Sequence, residues 1–96
     1  MRLEIITPEQ EIFKGEAEAV QLPGLDGSFQ VLNGHAPIIS GLSIGTVKVD
    51  LSVPFEAGEK TSNLIQKDGS NAKVIRVEIK GGVMEMFNNK VIILAE

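Results

Sequence analysis

The chain has 96 residues, 43% of them hydrophobic, which is enough for one domain over residues 1–96 and too few for a second core. Thirteen acidic and nine basic residues give a net charge of −4, with the basic residues scattered singly, which argues against a nucleic-acid partner. Cysteine is absent, which excludes disulfides and thiol chemistry, and no apolar run approaches the roughly 20 residues that cross a bilayer.

Short apolar alternations, separated by turn signals, occupy most of the chain. A period of two is typical of strands with one buried face, and no stretch has the three-and-four spacing of an amphipathic helix. Strands are predicted, in chain order, at residues 3–6, 11–14, 17–22, 28–32, 38–42, 46–53, 73–80, 83–87 and 91–95. The chain is therefore predicted to be all-β, a flattened sandwich of two antiparallel sheets with about ten short strands.

Two details of these strands are predicted as well. Within residues 17–22 the apolar alternation slips by one position between Ala19 and Val20, which a β-bulge would explain. Phe13, Phe29 and Phe87 lie in strand patterns and are predicted to pack in the core, whereas Phe55 follows Pro54 and is the aromatic residue expected to be exposed.

Residues 54–72 interrupt the alternation and are predicted to form an exposed insertion. A wholly structureless loop of this length is uncommon in a compact domain. Leu64 and Ile65 are therefore expected either to lie on the sandwich or to form a short additional strand. The alternative is a segment that stays mobile until a partner covers it.

Residues suited to catalysis or ligand binding are few. His35 is the only histidine, so a triad with Ser28 or Asp26 has no support from spacing, and no second histidine or cysteine completes a metal site. Gly24 and Gly27 are not followed by the helix or by the lysine that a phosphate-binding loop requires. We expect no catalytic residue, no cofactor, no metal and no bound nucleotide.

A longer pattern runs through ITPE (6–9), IFKGEA (12–17), LPGLDGSF (22–29), VLNGHAPI (31–38), GGVMEM (81–86) and NKVIILA (89–95). It resembles the amino-terminal domain of the epsilon subunit of F-type ATP synthases, called delta in mitochondria. The resemblance covers nearly the whole chain apart from the insertion. Its specificity lies in the combination of Pro-Gly, Asp-Gly and Gly-His-Ala-Pro at fixed offsets, because each marks a particular turn.

The resemblance implies a sandwich of two five-stranded sheets and a non-catalytic role in the central stalk. This domain would link the gamma subunit to the c-ring and help couple ion translocation to ATP synthesis. It would lie at the cytoplasmic face of a bacterial cell membrane, attached only through the complex. The matching segments near gamma and the c-ring give the candidate contacts Asp26, Ser28, Asn33, His35, Ala36, Pro37 and Ile38.

Family members usually continue into two helices that restrain ATP hydrolysis and in some members bind ATP. This sequence ends at Glu96, so it is expected to have no carboxy-terminal helices and no such brake.

Two rival functions stay open. A free-standing β-sandwich that binds a small ligand or peptide would need an enclosed pocket with convergent polar groups. An enzyme would depend on His35 alone.

Overall fold

The computed structural model describes residues 1–96 and consists of strands, turns and loops, which confirms the predicted all-β fold. It contains no helix capable of spanning a membrane. Its nine strands are β1 (Arg2–Ile6), β2 (Glu11–Gly24), β3 (Gly27–Leu32), β4 (Ile38–Leu42), β5 (Gly45–Leu51), β6 (Ile65–Lys67), β7 (Val74–Ile79), β8 (Gly82–Phe87) and β9 (Lys90–Ala95).

Strand β2, 14 residues long, belongs to both layers of the sandwich. Its first half pairs with β1, and its second half lies between β3 and β5. The first sheet therefore has the order β4-β8-β9-β1-β2, and the second has the order β3-β2-β5-β7-β6. Counting β2 in both, each sheet has five strands.

Most neighbouring strands are antiparallel, as predicted, but β1 and β9 pair in parallel. These two strands are the first and last of the fold. Their pairing depends on the path of the whole chain between them, and no local pattern reports that path.

Residues 11–14 and 17–22 were predicted as two strands, and the structure joins them into β2. The predicted bulge is confirmed, because Ala17 lies opposite Leu51 while Ala19 lies opposite Asp50, so one extra residue is accommodated. The bulge lets Ala17, Ala19 and Val20 all be buried, which a regular strand cannot do.

The space between the sheets is filled by one cluster of 20 buried apolar residues. Its largest fully buried side chains come from both inner faces and include Leu3, Ile5, Leu22, Ile75, Met84, Met86 and Ile93. Close packing of this kind makes a stiff body.

The insertion is partly structured. Ile65 begins β6, which pairs with β7, so the alternative of a short additional strand is confirmed, and Ile65 packs on the core while Leu64 is exposed. Phe55 also packs on the core, so its predicted exposure was wrong. At the end of β6, Asp68 forms a 2.8 Å ion pair with Arg76 of β7, which fastens the segment to the second sheet.

Two other burial predictions fail for identifiable reasons. Phe87 is 57% exposed because it points outward from β8, where Met84 and Met86 already supply the inward side chains. The alternation predicted over residues 46–53 puts Val53 on the same buried face as Val47, Val49 and Leu51. Val53 is instead 65% exposed, because β5 ends at Leu51 and the chain turns away before Pro54.

Candidate partner interface

The two segments selected from the sequence lie at opposite ends of β3. Leu25 and Asp26 form the hairpin turn that joins β2 to β3. Gly27, the first residue of β3, has φ +123, and Asp26 and Ser28 are exposed at this end. The 33–37 loop follows β3 at its other end. A six-residue strand separates the two segments by about 20 Å. The structure therefore does not bring Asp26 and Ser28 together with Asn33 and His35.

The 33–37 loop is held to the rest of the chain by hydrogen bonds from distant residues. The Asn33 N–H donates to the Glu18 carbonyl at 3.1 Å, and Asn33 Oδ1 accepts a 2.8 Å bond from the amino group of Met1. The Gly34 N–H donates to Asn89 Oδ1 at 2.7 Å. The Asn33 side chain is thus engaged within the chain.

The side chains that this loop presents to solvent are those of His35, Ala36 and Pro37. Nδ1 of His35 lies 2.7 Å from the Ala36 carbonyl oxygen, so Nδ1 is the donor in this contact. No serine or carboxylate is bonded to the ring, so the geometry of a catalytic triad is not formed around His35.

Strand β4 connects the two segments, because it runs from the 33–37 loop back to the level of the hairpin turn. Ile38, its first residue, is half-buried and packs against the core, whereas Ile39 points outward and is 73% exposed. Ile39 is therefore the large apolar side chain that β4 offers to a partner.

Exposed apolar side chains continue from Ile39 across the outside of the first sheet. Gly41 pairs with Val83, and Val83 pairs with Leu94, so these positions share one row. Leu25 of the hairpin turn lies over Gly41, where an added Cβ would be 2.6 Å from Leu25 Cδ1. The outer apolar face, as we name this surface, consists of Leu25, Ile39, Val83, Phe87 and Leu94, which are 46% to 73% exposed.

Isolated apolar side chains are normal on a protein surface, but a contiguous patch marks an interaction site. The outer apolar face reaches from the hairpin turn at one end to Phe87 beside the 33–37 loop at the other. Its members were missed as site residues in the sequence. One sequence feature could have indicated this surface. Strand β8 carries large apolar side chains on both faces, whereas strands of an antiparallel sheet with one solvated face alternate apolar and polar residues.

One negative charge lies within the outer apolar face. Glu85 is opposite Ile39 on one side and Ile92 on the other, and it has no ion-pair partner. Nearby Glu4 is paired with Lys90 at 2.9 Å, and this hydrogen-bonded ammonium group lowers the pKa of Glu4. Glu85 is thus the carboxylate on this face that is available to a cation from a partner.

Elsewhere the surface has open clefts. The one between β2 and residues 53–61 has a volume of about 500 Å³ and combines Phe13 and Phe55 with Lys14 and Lys60. No group of three or more histidine, aspartate or glutamate side chains is arranged to hold a metal ion.

Comparison with known proteins identifies the family of this chain. Residues 1–53 match the model of "ATP synthase, Delta/Epsilon chain, beta-sandwich domain". An ATP synthase epsilon chain of Chlorobium limicola is 37% identical over 99% of this chain and 88% of its own length. The chain belongs to the ATP synthase epsilon chain family. As a member, it is a non-catalytic subunit of ATP synthase.

Other epsilon chains differ in how much of their length is matched. One from Chlorobaculum tepidum is 38% identical, with 86% of its length covered. One from Desulforamulus reducens is 34% identical, with 58% covered.

Solved structures agree with the fold of this chain. A chain of the Euglena gracilis mitochondrial ATP synthase (OSCP/F1/c-ring) has a TM-score of 0.71 at 20% identity and covers 97% of this chain and 48% of that one. A chain of the Tetrahymena thermophila mitochondrial ATP synthase (central stalk/c-ring) has a TM-score of 0.66 at 15% identity, covering 99% and 62%.

Proposed function

We propose that this epsilon-family chain is a rotor subunit of the central stalk, linking the gamma subunit to the c-ring and helping to couple ion translocation to ATP synthesis. It would act as a single domain at the cytoplasmic face of a bacterial cell membrane, attached only through the complex. The solved structures with the same fold are chains of assemblies described as containing the c-ring, and one is described as central stalk, which supports this role.

The observation that carries the proposal is the outer apolar face, which we assign to gamma. Its most exposed member, Ile39, is the kind of aliphatic anchor that loses its water when a partner covers it. Glu85 beside it would pair with a basic residue of gamma and fix the register of docking. A permanently associated rotor subunit needs such an apolar surface, because obligate interfaces are more apolar than transient ones.

The two ends of this face supply the remaining contacts. We assign the hairpin turn to the c-ring, where Asp26 would meet a basic group on a polar loop and Ser28 would offer a hydroxyl group. Ile44, which is 76% exposed, lies at the same end, because the neighbouring Ser43 N–H donates to the Pro23 carbonyl. At the other end, His35, Ala36, Pro37 and the start of β4 at Ile38 would extend the contact with gamma, with Asn33 shaping the loop.

Stiffness is what such a subunit contributes to torque transmission. Strand β2 runs through both sheets, and Gly24 at its end also pairs with Leu42 of β4. The first sheet is therefore connected to β2 at both of its edges, so the apolar face and the hairpin turn belong to one rigid body.

Single-cysteine variants test the proposal, since the native chain contains no cysteine that would react. We expect Ile39→Cys to form a crosslink with gamma and Ser28→Cys to form one with the c-subunit in the assembled complex. Glu59→Cys, on the exposed part of the insertion, is the control and should form neither. Failure of Ile39→Cys to reach gamma, with crosslinks from Glu59→Cys instead, would overturn the assignment.

A further inference from the structure

Asn33 and Gly34 form the only Asn-Gly pair in the chain, and the pair lies in an exposed loop. Gly34 has φ +79, and the space around its Cα is open. Its N–H donates a 2.7 Å hydrogen bond to Oδ1 of Asn89, which lies 55 positions further along the chain. Oδ1 of Asn33 accepts a 2.8 Å bond from the Met1 amino group.

An asparagine followed by glycine is chemically labile, because the glycine nitrogen has no neighbouring side chain to keep it from the asparagine side-chain carbon. In the reaction, Gly34 N loses its proton to a solvent base and bonds to Cγ of Asn33, and Nδ2 takes a proton and leaves as ammonia. Water then opens the cyclic imide at either carbonyl, giving aspartate or isoaspartate.

We propose that Asn33 is a deamidation site and that Asn89 suppresses the reaction by holding the Gly34 N–H. Cyclisation requires Gly34 N to lose that proton and turn toward Cγ, and both steps require the bond to Asn89 to break. Asn89 is itself fixed, since it adopts φ 57 in the turn between β8 and β9 and its carbonyl accepts a 3.0 Å bond from the Arg2 N–H.

Deamidation would change this loop in two ways. Either product adds a negative charge at position 33, and isoaspartate also inserts a methylene into the backbone just before Gly34. All the contacts that control this reaction lie within the chain, so the deamidation of Asn33 is independent of the proposed docking to gamma.

The turn between β8 and β9 offers a matched pair of variants. Asn88 and Asn89 both have positive φ, at 51 and 57, so glycine replaces either without strain. Asn89→Gly removes the bond to Gly34, Asn88→Gly is the control, and Asn89→Asp keeps an acceptor oxygen. The purified full chains would be held at mildly alkaline pH and analysed by peptide mapping with mass spectrometry, separating aspartate from isoaspartate.

We expect Asn33 to deamidate at least about tenfold more slowly in the native chain than in the chain unfolded in urea. Asn89→Gly should accelerate the reaction roughly fivefold, the factor that one ordinary hydrogen bond is worth, while Asn88→Gly and Asn89→Asp should not. Equal rates in the two glycine variants would overturn the role of Asn89. A parallel rise at Asn63 and Asn71 would do the same, since it would report general loosening. An unfolded chain that stays intact would overturn the lability of Asn33.

Discussion

Two adjacent glycines at the start of β8 distinguish two effects of an added side chain, which are a clash with the neighbouring strand and backbone strain. Gly81 and Gly82 have φ +150 and +146, which side chains rarely adopt. A Cβ on Gly82 would lie 2.2 Å from the Leu94 carbonyl oxygen and 3.0 Å from Ala95 Cα, whereas a Cβ on Gly81 would be no closer than 3.4 Å to the Leu42 oxygen. Alanine would therefore strain the backbone at both positions, but its Cβ would clash with the neighbouring strand only at position 82.

The magnitudes follow from these distances. The strained φ costs about 1–3 kcal/mol at either position, and about 0.5–1 kcal/mol of that is offset because alanine restricts the unfolded chain. Gly81→Ala should thus lose about 1 kcal/mol, within a range of about 0–2.5 kcal/mol. Gly82→Ala should lose about 2 kcal/mol more, because β9 must move away from β8 where Gly82 pairs with Ala95 and the pairing there is lost.

Urea unfolding followed by circular dichroism measures both variants. For a small domain the free energy of unfolding falls by about 1 kcal/mol per molar urea, so the two midpoints should differ by about 2 M. Equal midpoints for Gly81→Ala and Gly82→Ala would refute the argument that the contact with Leu94, and not φ strain, dominates at Gly82.

Other substitutions test the core, the charges and the outer apolar face. Met84→Ala, at a fully buried position, should lose about 2–5 kcal/mol in urea unfolding, whereas Phe87→Ala, at a site 57% exposed, should change stability by no more than about 0.5 kcal/mol. Arg76, with help from Ser70, holds the pKa of Asp68 well below its ordinary range, so Asp68 stabilises the fold above pH about 4 and that contribution is lost as pH falls further. As the pH is lowered below about 4, the urea midpoint of unfolding should therefore fall more steeply for the native chain than for Asp68→Asn. Parallel curves for the two chains would contradict this. Glu85→Lys should slow association with gamma at low salt in stopped-flow mixing, whereas Glu59→Lys on the insertion should not, and equal effects would remove Glu85 from the docking site.

Much of the fold could be predicted from the sequence, because strands with one buried face alternate apolar and polar residues. The alternation in residues 46–53 and 73–80 predicted β5 and β7 closely, and the slip between Ala19 and Val20 predicted the bulge. Gly15 fell between the two strands predicted at residues 11–14 and 17–22. In the structure Gly15 is a strand residue covered by the Phe13 ring, and a Cβ added to Gly15 would lie 2.9 Å from Phe13 Cζ. A glycine in the sequence does not by itself indicate such a contact.

The candidate interface was only half predictable. Turn residues such as Asp26 and His35 are close to glycines and prolines, which indicate turns in the sequence. The outer apolar face exists only because β4 pairs with β8, which brings Ile39 beside Glu85 and places Val83 next to Leu94. The bond from Gly34 to Asn89 depends on the same long-range pairing, which no local pattern encodes.

Binding to isolated gamma, followed by titration calorimetry, tests the central claim most directly. Ile39→Asp is the test variant and Val53→Asp, at a similarly exposed apolar site outside the face, is the control. The account predicts one-to-one binding that weakens by at least about 30-fold in Ile39→Asp, since loss of an anchor side chain costs about 2 kcal/mol or more, and that stays unchanged in Val53→Asp. No binding by the native chain, or equal loss in both variants, would contradict a gamma-docking role for the outer apolar face.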